Sequence, residues 1–492
     1  MSSIEQEAIA GPAGAETAGK WTIMGIMGIG LFMATLDSSI VNIALPEISF
    51  SFHVPLNGLL EWIIIAYLLV IASLLLTLGR LVDIVGQKFL WVLGLFIFTM
   101  SSALCGAAPS LSLLVIFRAL QAVGGALIMA ISPAMLARAF PVSERGRALG
   151  VLALVVSGGT SAGPALGGFI TQAFSWRWIF YINVPLGMIG IGAALRLLKE
   201  PMHLSLGQER FDPIGAIVLS ASVSCLMLAL SFGQELGWRS FNIVGLLAMA
   251  LMLLAAFIVH EWRWTHPIVD FSLFRNRLFT AAIASSFLTF LSIFPVWFLM
   301  PFYLEELRGL PVYVAGLLMT VVPLTIAMVA PVSGRLSDRF GSRFLCSAGL
   351  AIICLGLWFL SRLRSSGPLF DIVWPLVVTG FGQALFQPPN NNAILSSVPR
   401  RRLGIASGIL STVRVLGQSS GVAISGAIFV SLGGAQAGAA LIHKLGIPAH
   451  QLEAVFLHAF HVTLLTCMTF ASIGVCTSVL RGPRPPVTAD RD

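Results

Sequence analysis

The chain has 492 residues, of which 57% are hydrophobic and only 10% are charged, and its formal net charge is +8. Soluble domains carry about 25% charged residues, so this composition excludes an ordinary water-soluble enzyme. The placement of the charges explains the positive balance better than a nucleic-acid partner does. Apolar runs of about 18 residues or more recur along the chain, and each can cross a hydrocarbon core of about 30 Å. We therefore predict an all-α integral membrane protein.

Fourteen apolar segments are predicted to be transmembrane helices in a 6+2+6 arrangement. The expected parts are a cytoplasmic N-terminal tail, a six-helix bundle, a two-helix insert, a second six-helix bundle and a cytoplasmic C-terminal tail, at 1–21, 22–200, 201–270, 271–480 and 481–492. The first 20 residues do not resemble a cleaved signal peptide. The predicted spans are 22–44, 59–79, 89–107, 111–136, 147–171, 178–198, 213–232, 241–259, 279–302, 313–333, 345–361, 371–395, 404–430 and 458–480.

The Lys and Arg residues are distributed unevenly over the loops. Of the 29 such residues, 21 lie on the side of the two termini, six lie on the opposite side, and Arg118 and Arg414 fall inside predicted spans. Short cytoplasmic loops retain positive charge. Both termini are therefore expected in the cytoplasm, in a multi-pass protein of the inner (plasma) membrane.

Two opposite charges are predicted to lie at the same depth inside the membrane. Asp37 is in the first span, and Arg118 is in the fourth, where Gln121 and Gly125 share its helix face. At 1.5 Å per residue, each charge lies about 10 Å below the outer end of its span. A charged side chain at that depth must face a cavity or a partner. Two hypotheses stay open, a static buried ion pair and a protonation switch.

A charged loop occurs twice in the sequence. Residues 79–91 read GRLVDIVGQKFLW and residues 334–346 read GRLSDRFGSRFLC, so that seven residues recur at an offset of 255. Further matches at an offset of 258 relate residues 141–163 to residues 399–421. Spans 2–5 thus correspond to spans 10–13, and spans 7 and 8 remain as an insert. Many secondary transporters are built from such repeats, with the substrate site between them.

The residues of this loop suit a close contact between helix ends on the cytoplasmic side. Gly79 lets two helix ends approach closely, and Gly86 supplies a turn. Asp83 can accept hydrogen bonds from the N-terminal amides of a helix or pair with an arginine, while Lys88 marks the cytoplasmic face. The alternative, a simple topology signal, does not explain two copies in register. The second copy supplies Gly334, Asp338 and Gly341.

The fifth span carries glycines at every fourth position. Gly159, Gly163 and Gly167 share one face, on which a neighbouring backbone can pack closely, and Pro164 can bend the helix. The simpler hypothesis is a packing stripe within a bundle. The functional hypothesis is that the stripe forms the contact between the two halves, which must separate during transport.

Several polar and aromatic residues are candidates for the substrate cavity. Glu61 also fits a simpler interpretation as a solvated charge at a helix end. The candidates are Glu61, Trp62, Tyr67 and Gln121 in the first half and Gln383, Gln387 and Arg414 in the second half.

No cofactor or metal site is expected. The six cysteines lack metal-ligand spacing. The segment GAETAGKW has Trp21 where a phosphate-binding loop requires Ser or Thr. No catalytic group of Ser, His and Asp residues is evident, so the energy source is expected to be an ion gradient or the gradient of the substrate itself.

Five segments together resemble the 14-helix drug:proton antiporter branch of the major facilitator superfamily (EmrB/QacA type). Ile84 and Gln87 stand where arginines are usual in that branch, whereas Arg339 keeps one of them in the second copy. Ala122, in the segment RALQAVGGA, stands where glycine is usual in that branch. The segments are LDSSIVNIALP, GRLVDIVGQK, RALQAVGGA, GTSAGPALGG and WRWIFYINVPLG.

The resemblance implies the major facilitator fold and proton-driven export of small amphipathic organic compounds, including drugs and antibiotics, by alternating access. By position, Asp37 and Arg118 would couple the protons, and Asp83 would hold the cytoplasmic gate. The implied partners are the substrate, protons and the lipid bilayer, with no nucleic acid. One alternative is export of an endogenous lipid or secondary metabolite. Another is a polytopic membrane transferase, which would need a polar catalytic loop that the sequence does not contain.

Overall fold

The computed structural model describes residues 17–53, 58–198, 211–264, 268–399, 402–443 and 448–481, and the regular structure within these ranges is helical. We number the membrane helices α1 to α14. They are α1 (Thr17–Phe52), α2 (Gly58–Val85), α3 (Gln87–Gly106), α4 (Leu111–Ala139), α5 (Arg145–Ala173), α6 (Trp178–Tyr181 with Asn183–Leu197), α7 (Pro213–Phe232), α8 (Phe241–Arg263), α9 (Arg277–Phe302), α10 (Val321–Phe340), α11 (Ser342–Leu360), α12 (Phe370–Ser396), α13 (Leu403–Ser431) and α14 (Ala449–Val479). Shorter helical pieces are Phe271–Arg275, Tyr303–Leu307, Val312–Met319 and Gly434–His443.

The helices have the length and composition of membrane spans. In the described part of the chain, 13 helices are long and apolar enough to cross a bilayer. The fourteenth, α12, has 27 residues and three internal prolines, and its Gln and Asn side chains make it more polar. On α8, Phe241 and Leu251 are 91% and 68% exposed. Such outward-facing apolar surface fits a lipid environment, so the predicted all-α membrane architecture is confirmed.

The packing of the helices repeats between the two ends of the chain. In the N-terminal bundle, α1 to α6, helix α4 packs on α2 and α3, α1 packs on α5, and α3 packs on α6. In the C-terminal bundle, α9 to α14, helix α12 packs on α10 and α11, α9 packs on α13, and α11 packs on α14. Each contact of the first set therefore has a counterpart in the second.

Paired glycines explain why one of these crossings is so close. A Cβ on Gly124 of α4 would lie 2.5 Å from the carbonyl oxygen of Gly94 on α3. A Cβ on Gly382 of α12 would lie 2.7 Å from the carbonyl oxygen of Gly349 on α11. Only glycine permits this approach, since no Cβ atom fits so near a backbone oxygen. Gly94 and Gly349 are related by the offset of 255, and Gly124 and Gly382 by the offset of 258. The duplication therefore extends to backbone contacts.

The two bundles meet along two seams, α2 against α13 and α5 against α10. In the first seam, a Cβ on Gly79 would lie 2.7 Å from the carbonyl oxygen of Gly404 and 3.0 Å from the Cα of Gly408. In the second, Gly146 and Gly334 leave no room for a Cβ on either residue. The duplicated loops lie at these contacts, and we call this end of the molecule the loop end. The bundles are therefore in backbone contact at the loop end.

The helices α7 and α8 lie beside the α2–α13 seam. Helix α7 contacts both α2 and α13, whereas α8 packs on α7. Ser220 Oγ donates a hydrogen bond to the Ser73 carbonyl of α2 at 3.0 Å. The Gln234 side chain reaches the Ala423 carbonyl of α13 at 3.5 Å. This pair of helices thus touches both bundles.

Candidate functional site

Asp37 and Arg118 form an ion pair inside the N-terminal bundle. Arg118 Nη1 lies 2.5 Å from Asp37 Oδ2, and the two side chains are 1% and 0% exposed, respectively. Helices α1 and α4, which contact each other, position the pair. The equal depth inferred from the sequence therefore corresponds to a direct contact between the two charges.

Two amide side chains complete the shell around the carboxylate. Gln121 Nε2 and Asn183 Nδ2 both donate to Asp37 Oδ1, at 2.9 and 3.1 Å. Gln121 Oε1 accepts from Arg118 Nη1 at 2.8 Å, and Arg118 Nε donates to the Ile63 carbonyl of α2 at 3.3 Å. The carboxylate thus accepts from three N–H donors, one of them the Arg118 guanidinium, so both of its oxygens have partners in the buried interior.

A break in α6 places the amide of Asn183. The two pieces of α6 meet at Ile182, and Asn183 Nδ2 also donates to Ser102 Oγ of α3 at 3.0 Å. Ser102 Oγ in turn donates to the Phe180 carbonyl of α6 at 2.9 Å. These bonds fix Asn183 against α3 while it reaches Asp37 on α1. Neither Asn183 nor Ser102 was predicted, although Asn183 lies in the stretch WRWIFYINVPLG, which was singled out as characteristic.

The Tyr67 ring covers the guanidinium. Its centroid lies 4.2 Å from Arg118 Cζ, a cation–π contact. The Tyr67 hydroxyl is buried without a hydrogen-bond partner, and a Cβ on Gly125 would lie 3.1 Å from it. Tyr67 and Gln121 were predicted as cavity residues, but they are 1% and 0% exposed. In this conformation they enclose the ion pair and line no open cavity, because both pack against Arg118.

A second polar site lies at the loop end, between the bundles. Asp338 of α10 accepts hydrogen bonds from the backbone N–H groups of Gly146 and Arg147 in the first turn of α5, at 2.9 and 3.0 Å. Asn392 Nδ2 of α12 approaches Asp338 Oδ1 at 3.4 Å. A carboxylate at a helix N-terminus meets both free N–H groups and the positive end of the helix dipole. Asp338 thus connects the C-terminal bundle to the N-terminal bundle.

The other predicted loop residues have separate local roles. Gly86 and Gly341 have φ values of 110° and 80°, so each makes the turn that only glycine adopts easily. Lys88 is buried and donates to the Leu198 carbonyl at the end of α6, at 2.5 Å, so it joins two helices of one bundle. The side chain of Asp83 lies outside the described part of the structure.

The glycine stripe of α5 contacts α1, which belongs to the same bundle. A Cβ on Gly159 would meet Thr35 and Phe32, and one on Gly163 would meet Ser39. A Cβ on Gly167 would lie 2.8 Å from Ile40 Cγ1. The hypothesis that the stripe is the contact between the halves is therefore wrong for this conformation. The inter-bundle contact lies nearer the loop end of α5, at Gly146 and Gly150, and the side chain of Pro164 lies outside the described part.

The remaining cavity candidates are spread over both bundles. Trp62 packs against Phe232 of α7, with ring centroids 5.7 Å apart. Gln383 is buried and its Oε1 has no hydrogen-bond partner, whereas Gln387 and Arg414 are half-buried. The side chain of Glu61 lies outside the described residues.

Comparison with known proteins identifies the family. The family model described as Major Facilitator Superfamily matches residues 27–422 of the chain. The chain belongs to the Major Facilitator Superfamily. It is therefore a transporter and not an enzyme, and its helices have the fold of that superfamily.

Relatives within the superfamily differ in the compounds that their names mention. The chain is 35% identical to "Riboflavin transporter RibZ" of Clostridioides difficile over 83% of this chain and 88% of the relative. It is 34% identical to "Multidrug resistance protein Stp" of Mycobacterium tuberculosis over 82% of this chain and 75% of the relative. The solved structure of the human organic anion transporter MFSD10 (TETRAN) has the same fold, with a TM-score of 0.62 and 14% identity, over 92% of this chain and 99% of that chain.

Proposed function

We propose that the protein is a proton-coupled exporter of amphipathic organic compounds, in the 14-helix drug:proton antiporter branch of the superfamily. The sealed pair of Asp37 and Arg118, with Gln121 and Asn183 bound to the carboxylate, carries this proposal. Buried ion pairs contribute little net stability, because desolvation offsets their attraction. A pair kept inside a membrane bundle therefore favours a role in coupling over one in folding. The relative named a multidrug resistance protein supports a drug-like substrate.

The cycle that we propose uses the pair as its proton site. Substrate entry or closure of the bundles separates Asp37 from Arg118, and an unpaired buried carboxylate costs several kcal/mol. Uptake of a proton from the outer side removes that cost. Neutral Asp37 then permits the return to the inward-facing state, and release of the proton into the cytoplasm restores the pair.

The gate that we propose is formed twice, once by each copy of the duplicated loop. Asp338 bonds to the first turn of α5, and the repeat relates Gly146 to Gly404 at the start of α13. We infer that Asp83 accepts from the start of α13 in the corresponding way. The loop end is then the cytoplasmic end of an inner-membrane protein, with both termini inside and with α7 and α8 as an insert between two six-helix bundles.

A second candidate function is export of a single endogenous metabolite on the same fold. The relative named a riboflavin transporter, at 35% identity, favours this candidate. The two functions differ in breadth, since a drug exporter should accept many unrelated compounds. Efflux measured against a chemically diverse panel, including riboflavin, separates them.

The test of proton coupling uses purified protein in liposomes with an imposed pH gradient. The wild type should accumulate substrate only when the gradient is present. Asp37→Asn should retain binding and downhill exchange but lose gradient-driven accumulation, because it mimics the protonated state permanently. Asp371→Asn removes an exposed carboxylate in the first turn of α12, in the C-terminal bundle, and serves as the matched control. If the Asp37→Asn variant shows full gradient-driven accumulation, Asp37 is not the obligatory proton carrier.

A further inference from the structure

Arg414 is a membrane-depth cation that has no carboxylate partner in the described part of the chain. It lies 11 residues after Leu403, the first residue of α13, which is about 17 Å along the helix axis. Its Nε is buried without a hydrogen-bond partner. None of the ion pairs among the described residues involves Arg414. A charge at this depth normally has a counter-ion or a functional ligand.

The comparison with Arg118 shows how unusual this arrangement is. Arg118 has a carboxylate, an amide oxygen and a backbone carbonyl as acceptors. Arg414 has the face of Phe290, whose ring centroid lies 5.3 Å from its Cζ. A cation–π contact contributes about 0.5–2 kcal/mol, which is less than the cost of an uncompensated charge in hydrocarbon. The positive charge in the C-terminal bundle is therefore available to an external anion.

The surroundings of Arg414 include two aromatic side chains. Phe290 and Phe294 of α9 lie one helical turn apart, with ring centroids separated by 6.4 Å. The middle level of the C-terminal bundle thus offers a positive charge beside phenyl rings.

Arg414 lies on a helix of the seam between the two bundles and is only partly buried. Helix α13 contacts α2 and α4 of the N-terminal bundle, so it lies at the seam. Arg414 is half-buried, in contrast to the fully sealed Asp37 and Arg118. Part of its side chain therefore remains open while its Nε is withdrawn from solvent.

We propose that Arg414 binds an acidic group of the substrate, so that the preferred compounds are amphipathic organic acids with an aromatic body. This inference rests on the proposed export function and specifies its substrate class. A guanidinium binds a carboxylate through charge-assisted hydrogen bonds. Phe294, which is half-buried, offers an apolar surface to the rest of the ligand. An anionic lipid headgroup has the same chemistry, but headgroups lie near the membrane surface, and Arg414 is near the middle of α13.

The test uses two fluorescent dyes that differ in one group. Rhodamine 110 carries a free carboxylate, and rhodamine 123 is its methyl ester. Binding of each dye is measured by fluorescence polarisation with the full-length protein in phosphatidylcholine nanodiscs. The variants are Arg414→Gln, Arg414→Lys and the control Arg362→Gln, which removes an exposed arginine of an outer loop. Thermal unfolding checks that each variant is folded.

We expect Arg414→Gln to weaken binding of rhodamine 110 about tenfold or more, the effect of losing one charge-assisted hydrogen bond. Its affinity for rhodamine 123 should stay within about twofold of wild type, and Arg414→Lys should recover part of the rhodamine 110 affinity. If Arg414→Gln weakens both dyes equally, or neither, the acid site is overturned while the export function stands. If the folded wild type binds neither dye and exports none of the diverse panel, both proposals fail. If phosphatidylglycerol in the nanodiscs abolishes rhodamine 110 binding, the site belongs to a lipid phosphate and not to a solute.

Discussion

Asp338 connects the two bundles at the loop end, so its replacement should shift the equilibrium between closed and open conformations at that end. Both carboxylate oxygens accept backbone N–H groups, from Gly146 at 2.9 Å and from Arg147 at 3.0 Å. These groups belong to the first turn of α5, whereas Asp338 belongs to α10. Separation of the bundles at this seam must break both bonds. Asp338→Asn keeps the shape of the side chain and one oxygen acceptor but removes the charge.

The size of the effect follows from the bonds that are lost. A hydrogen bond to a charged group contributes about 1.5–3 kcal/mol, and a charge at an exposed helix terminus adds about 0.3–1 kcal/mol. Because the asparagine keeps one acceptor and the two contributions overlap, the closed conformation should lose about 2–3 kcal/mol of stabilisation in all. At 1.4 kcal/mol per factor of ten, the closed-to-open ratio should fall about 30- to 150-fold. Asp83→Asn should add to this effect if the second gate is built in the same way.

The assay is double electron–electron resonance across the seam. Spin labels at Ser143 and Arg343, both exposed, report the separation of the two bundles in a variant without native cysteines. Asp338→Asn should move the population towards longer distances and reduce transport. Asp270→Asn is the control, because Asp270 pairs with Arg402 of the C-terminal half and does not cross the seam. An unchanged distance distribution in Asp338→Asn, together with unchanged transport, would refute a gating role for this carboxylate.

Two further substitutions test the N-terminal bundle. Arg118→Ala leaves the Asp37 carboxylate unpaired, which should destabilise the protein by about 3–5 kcal/mol and abolish transport. In the double variant that also carries Asp37→Asn, thermal unfolding should show that part of the lost stability is recovered. If no stability is recovered, the result argues against the ion pair. Gly163→Leu places a Cβ against the Ser39 side chain and 3.0 Å from the backbone nitrogen of Ile40. Transport should therefore fail while dye binding partly survives. The control Gly158→Leu has no atom within 4 Å of its Cβ and should transport normally; equal activity of the two variants would contradict the packing argument.

Two charged residues illustrate how much of the site is accessible from sequence. Asp37 and Arg118 could be paired in advance because a charge inside an apolar span is conspicuous, and helical rise converts sequence position into depth. Asn183 could not be found in the same way. An uncharged amide is common in many settings, and its position depends on the break in α6 at Ile182. The glycine stripe of α5 was recognised as a close-contact face, but its periodicity carries no information about which neighbouring helix it meets.

The sequence by itself determined the membrane architecture, the internal duplication and the superfamily, because span length, charge placement and repeated motifs are properties of the chain read locally. Only the tertiary structure decided which groups complete each site. Asn183 reaches Asp37 across 146 positions of the chain, and Asp338 reaches Gly146 across 192. Such bonds depend on how helices cross, to within a few tenths of an ångström. Steric contacts among many distant residues set that geometry, and no single segment encodes it.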